Sequence, residues 1–207
     1  MNRLIMILMV ATAWMNWACG EATTSQATGE ATAQEETAEA PAEATSSSAE
    51  GFQLNVLNDT IPSPRKELTA TMGTNSLSIN YGSPQANGRI IWGNLVPHDK
   101  VWRTGANEAT RITVSEAVSI SGQNLPAGTY GLFTIPGEAD WTLIFNSVAE
   151  QWGAYDYDES KDVIRVKVVP ETVEEHAEGM DFSVRDGNTV VLAWEKVRVP
   201  FTLEAGQ

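Results

Sequence analysis

The chain has 207 residues, 27 of them acidic against 13 basic, for a formal net charge of −14. Residues 1–50 hold seven acids and one base and residues 51–207 hold twenty acids and twelve bases, so both parts are acidic. Nucleic-acid binding needs clustered Lys and Arg that neutralise phosphates, and that partner class is excluded, as is electrostatic attachment to anionic lipid headgroups.

At the amino terminus Arg3 supplies a positive charge and Leu4 to Trp17 form an apolar run ending at small residues. A transmembrane helix needs about 20 apolar residues, so the run is read as a signal peptide over residues 1–18. Cys19, the single cysteine, follows Ala18 where a lipobox places the cysteine that takes a diacylglycerol; Asn16 stands where an aliphatic residue is usual. The expectation is lipidation at Cys19 and anchoring in the cell envelope, at an outer membrane and facing the periplasm or the outside. Ordinary cleavage and secretion is the alternative. The rest of the chain then has no disulfide, no cysteine-based zinc site and no thiol nucleophile.

Residues 20–51 are almost wholly Ala, Thr, Glu, Ser, Gln and Gly. They lack the large apolar side chains that repay the entropy of ordering, which predicts a disordered acidic tether over 19–51 with a reach of roughly 30 Å.

Residues 52–207 break into short alternating runs punctuated by Gly, Pro, Asn and Asp, the pattern of a single antiparallel β-sandwich, jelly-roll-like or barrel-like. Ten strands are predicted: Leu68–Met72, Ser76–Tyr81, Thr110–Val114, Ala117–Ser121, Thr129–Ile135, Trp141–Asn146, Val163–Val169, Asp181–Arg185, Thr189–Glu195 and Val197–Leu203. Trp141, Leu143 and Phe145, then Val190, Leu192 and Trp194, then Val197, Val199 and Phe201 alternate as core faces. Gly137 to Asp140 and Asp186 to Asn188 read as hairpin turns. Ser83 to Gly105 and Ser147 to Lys161 read as loops, the second with a short helical turn near Ala149 to Trp152, and Pro170 to Gly179 as a helical turn or an exposed connection.

The runs SPR (Ser63 to Arg65), GRIIWG (Gly88 to Gly93), VWRTGANEAT (Val101 to Thr110), LPAGTYGLFTIPG (Leu125 to Gly137), WTLIFN (Trp141 to Asn146) and WGAYDY (Trp152 to Tyr157) together resemble the domain of unknown function 2911, a family found chiefly in Bacteroidetes and related bacteria. VWRTGANEAT is the most specific of them. The resemblance implies an envelope or secreted protein with one β-rich domain, and no activity.

Candidate chemistry concentrates in that segment. Arg103 offers a planar fork of donors, Glu108 an acceptor, Asn107 an amide and Trp102 an apolar face, which together could grip a small polar ligand; equally, Arg103 and Glu108 could pair to fix the loop. Arg65 and Arg89 lie in other Gly- and Pro-punctuated segments and would make an anion site if they converged. Trp92, Trp102, Trp152 and Tyr155 are possible platforms for a glycan, whereas Trp141 and Trp194 read as core.

Asp156, Asp158, Ser160 and Asp162 have the opening spacing of an EF-hand loop, but Lys161 and Lys167 occupy its glycine and glutamate positions, so no metal site is expected, and no cofactor. No G-x-S-x-G, phosphate loop or H-E-x-x-H occurs. Three functions follow: a non-catalytic envelope module binding a small polar ligand or glycan through Trp102, Arg103, Asn107 and Glu108; a hydrolase using Glu108 or His98; or a structural partner of another envelope protein.

Overall fold

The computed structural model describes residues 47–49 and 51–207; the signal segment, Cys19 and most of the expected tether lie outside the described residues. The described chain is all-β. Its strands are β1 (Ser47–Ala49), β2 (Phe52–Asn58), β3 (Arg65–Met72), β4 (Asn75–Gly82), β5 (Thr110–Val114), β6 (Val118–Ile120), β7 (Gln123–Leu125), β8 (Gly128–Pro136), β9 (Trp141–Asn146), β10 (Asp162–Val168), β11 (Glu171–Arg185), β12 (Thr189–Thr202) and β13 (Glu204–Ala205).

Eight of them form one sheet in the order β1-β2-β3-β4-β5-β8-β9-β10, with every neighbour antiparallel. Period-two alternation sets which side chains turn inward. In β4 these are Leu77, Ile79 and Tyr81, in β5 Ile112 and Val114, and in β9 Trp141, Leu143 and Phe145, all buried. Register aligns them, since Leu68 opposes Ile79, which opposes Ile112, which opposes Tyr130. The long β11–β12 hairpin supplies the second layer, burying Met180, Phe182, Val184, Val190, Leu192, Trp194, Val199 and Phe201 in the same core. Tyr81 meets Phe182 edge-on at 4.9 Å between ring centres, and Phe145 meets Phe201 at 6.3 Å. A small sheet of β13, β6 and β7 adds Val118, Ile120 and Leu125 to that core.

Several boundaries differ from expectation. Residues 47–49, inside the segment read as tether, pair with Phe52 to Leu54. The acidic stretch 170–179 is neither helix nor loose connection: from Glu171 onward it is the first half of β11. The runs 189–195 and 197–203 are one strand. At Glu195, whose φ is 54° and where the register with β11 shifts, the inward positions of β12 change from even numbers at Val190, Leu192 and Trp194 to odd numbers at Val199 and Phe201. No helical turn forms at 149–152; among the described residues the single 3-10 turn is Glu159–Lys161.

The outer face of the large sheet is divided. Over β8 and β9, Phe133 and Ile144 are covered by Val101, Ala154 and Tyr157 from the two long loops. Over β3, β4 and β5 the outward residues are polar, and this half stays open.

Candidate functional site

The segment 101–110 folds as it does because two chains cross where there is no room for side chains. A Cβ on Gly105 would lie 2.9 Å from the Gly82 carbonyl oxygen, and Ala106 N–H donates to that oxygen at 3.2 Å. Thr104 and Asn107 take left-handed φ values of 54° and 62° to complete the crossing. Trp102 Nε1 donates to the Gly105 carbonyl at 3.2 Å, folding its indole back beneath the loop.

Beyond the crossing the segment joins the loop 147–161. Ala109 N–H donates to the Gln151 carbonyl at 2.9 Å, and Gly153 N–H to the Asn107 carbonyl at 3.1 Å, so Glu108 and Trp152 become paired neighbours. Buried Asn146 organises the rest of that loop, donating to Asp162 Oδ1 at 2.7 Å and to the Asp158 carbonyl at 3.0 Å while accepting from Val148 N–H at 3.0 Å. Asp162 also accepts from Tyr157 Oη at 2.6 Å and Arg165 Nε at 2.7 Å, and Asp158 caps the 3-10 turn. Two of the three acids that opened a calcium-like spacing, Asp158 and Asp162, are thus bonded to protein partners, and Asp156 is exposed. Among the described residues no group of three or more His, Cys, Asp or Glu could hold a metal ion.

These arrangements build a cavity of about 510 Å³ at one end of β3 and β5. Leu57 and Asn58 at the end of β2 and Ile61 from the β2–β3 connection form one wall, Ala149 to Trp152 the other, and Arg65, Arg111 and Glu108 the floor and rim. Arg65 Nη1 lies 3.2 Å from Glu108 Oε2, and Arg111 Nη1 lies 2.9 Å from Glu150 Oε1. Arg65 Nε also donates to Asn80 Oδ1. Burial pulls the Arg65 guanidinium below its ordinary value, while Glu108 acts the other way and Arg111 adds to the lowering. Trp152 stands 60% exposed over this rim. Two arginines thus face two carboxylates beside an open indole, an arrangement without net charge at the cavity itself.

A family model described as "Protein of unknown function (DUF2911)" matches residues 63–203. The chain belongs to the DUF2911 family. No curated protein and no solved structure matches the chain. The DUF2911 match takes in the floor and the Ala149 to Trp152 wall of the cavity; Leu57, Asn58 and Ile61 precede it.

Within this DUF2911 domain the residues singled out from sequence separate. Arg65, Glu108 and Trp152 share the cavity. Trp102 does not: it is 8% exposed and stacks on Trp194 at 6.0 Å, with Trp92 edge-on to both and to Trp141. Trp102 is therefore core packing and offers no platform to a ligand from solvent, and Trp92 packs against the same core from a half-buried position outside the cavity. Arg89 is elsewhere, donating to the carbonyls of Ala86 and Gln85 in its own loop, so the three arginines do not converge. Arg103 is half-buried with its Nε unpartnered; burial lowers its guanidinium from the ordinary value, and nearby Tyr155 acts the other way. It does not pair with Glu108. Tyr155 is 86% exposed, its ring packed over Gly153, whose φ of 68° and close ring contact leave no place for a Cβ. Asn107 contributes its backbone. His98 packs against Gly93, outside the cavity.

Arg111, Glu150 and Asn80 were not singled out from sequence. Arg111 lies at an outward position of an alternating strand, where a charged residue needs no explanation, and only the pairing of Asn80 with Arg111 reveals that it shares a floor with Arg65.

Proposed function

We propose that the chain is a non-catalytic module of a bacterial cell envelope, lipid-anchored at Cys19, that binds a small polar ligand or glycan at the cavity between Arg65, Glu108 and Trp152. One observation carries the binding reading: Trp152 stands exposed above two arginine–glutamate pairs that cancel each other's charge. An exposed indole is a face on which a sugar ring stacks, and paired side chains on the floor keep free lone pairs and N–H groups for its hydroxyls. Small-molecule sites combine an apolar wall with a few placed polar groups in a cavity of about 300–1,000 Å³, and this one falls within that range.

The envelope reading is supported by the apolar run Leu4 to Trp17 followed by the chain's single cysteine. Hydrolysis at Glu108 or His98 has less support. Glu108 is half-exposed and ion-paired, and a general acid calls for a water-poor pocket; His98 lies in a different loop.

Calorimetric titration of the full chain with a panel of neutral and acidic sugars tests binding, with Trp152→Ala as the comparison. Heat of binding with the wild type and none with Trp152→Ala supports the reading; no heat across the panel overturns it. Intact-mass measurement on the membrane fraction, seeking acylated Cys19, tests the anchor.

A further inference from the structure

Resting on that binding reading, we infer that the cavity is one end of a longer trough, and that its occupant is an uncharged linear oligosaccharide lying along the open half of the sheet. The cavity beside Trp152 adjoins a second hollow of about 520 Å³, the two sharing Arg111, Ala149 and Glu150 as lining. That hollow shares Ser78 and Thr113 with a third of about 630 Å³, which reaches Gln53 and Thr71. From Arg65 to Thr71 the floor follows β3, and at ~3.4 Å per residue this is a run of about 20 Å. A single sugar ring fills only part of it.

The chemistry of the floor selects the occupant. Register places Gln53, Thr69, Ser78, Thr113 and Thr129 directly opposite one another across β2, β3, β4, β5 and β8, a row of four hydroxyls and an amide on the outer face. Hydroxyls are donors and acceptors at once, as sugar hydroxyls are. Ser78 Oγ already donates to Glu67 at 2.9 Å, and Thr113 and Thr129 share one bond at 2.9 Å, which orients the row while leaving further lone pairs and hydrogens for a guest. An extended peptide binds by adding its backbone to a free strand edge. Here β3, β4 and β5 are interior strands whose backbone groups are already committed to their neighbours, so only side chains face the trough. Acidic polysaccharides and anionic peptides are disfavoured as well. The two arginines are matched by Glu108 and Glu150, and Glu67 adds one more carboxylate to the floor.

The test is titration of the full chain with one neutral sugar and its linear oligomers up to the hexamer, alongside an acidic oligosaccharide of equal length. Affinity should rise at least about tenfold from the shortest binding unit to the hexamer. Ser78→Tyr, which fills the middle of the trough from an outward strand position where Tyr is a good β-former, should remove that gain and leave the shortest ligand's affinity within about twofold. Thr69→Tyr does the same farther from Trp152, and thermal melting of both variants verifies the fold. Binding of the monomer with no gain in length overturns the trough while sparing the Trp152 site. Preference for the acidic oligomer, or a gain in length untouched by both variants, also overturns it. No binding of any sugar removes this inference together with the reading on which it rests.

Discussion

Arg65 at the start of β3 and Glu108, 43 residues later in the segment that leads into β5, meet at 3.2 Å across the open face of the sheet, although β3 and β5 do not pair directly. The contact is asymmetric. The Arg65 side chain is 14% exposed and also bonded to Asn80, whereas that of Glu108 is 52% exposed. Arg65 therefore acts as a fixed post and Glu108 as the movable member of the pair.

That asymmetry predicts unequal costs. Arg65→Ala strands Asn80 and Glu108 together, and loss of a partly buried, charge-assisted network should cost about 1–3 kcal/mol. Glu108→Gln removes one solvent-screened ion pair and should cost under about 1 kcal/mol. Urea unfolding of both variants measures the difference, and equal losses would contradict it.

The tryptophans separate more sharply. Trp102→Ala empties a site stacked on Trp194 and should destabilise by about 3–5 kcal/mol. Trp152→Ala removes an exposed ring, should change stability by less than about 0.5 kcal/mol, and should abolish ligand binding. Urea midpoints measured alongside calorimetric titration separate the two roles.

This contrast marks what could be read from sequence. Where a side chain lies on a strand, alternation reports its direction: Trp141, Leu143 and Phe145 face inward as expected. Trp102 lies in an irregular segment among Arg, Thr, Gly and Asn, where no period reports direction, and its inward turn depends on the close approach of Gly105 to Gly82. The hairpin turns at Gly137 to Asp140 and Asp186 to Asn188 were legible because their residue types favour such turns. Arg65 and Glu108 were visible as individuals, but their meeting, like that of Arg111 and Glu150, depends on the register of β3, β4 and β5 and on the loops that carry the two glutamates. Register depends on contacts between distant segments that one strand's own pattern does not encode.

Alkaline pH should weaken the fold through its tyrosines. The Tyr157 phenol is pushed up to about 12 by burial and by its bond to Asp162, with the bond to Arg165 acting the other way, from an ordinary value of 10.0. A folded value above the unfolded one means that the fold favours the protonated phenol. Its contribution is complete below the ordinary value and drains away as pH rises through the folded one. Tyr81 and Tyr130 are raised in the same direction, by burial first. Urea midpoints should therefore fall between about pH 10 and pH 12, with a shallower fall in Tyr157→Phe. A wild-type stability that is flat across this window would contradict the argument.

Glu195 offers the opposite sign, a substitution that should stabilise. Its φ of 54° puts a residue with a Cβ in the left-handed region, at a cost of about 1–2 kcal/mol that glycine escapes. The left-handed residue cannot simply be straightened, because buried parity along β12 changes across it and Trp194 and Val199 face the same core. What this turn in the strand uses of the residue is its backbone: the Glu195 carbonyl accepts from Arg198 Nη1 at 3.0 Å, and a glycine supplies the same carbonyl. Glu195→Gly should then gain up to about 1 kcal/mol once the added freedom of the unfolded chain is set against the relief of strain, whereas Glu195→Ala keeps the Cβ and should gain nothing. Urea unfolding of the two variants decides it. Equal stability of Gly and Ala at this position would show that the left-handed geometry is not costing the fold anything.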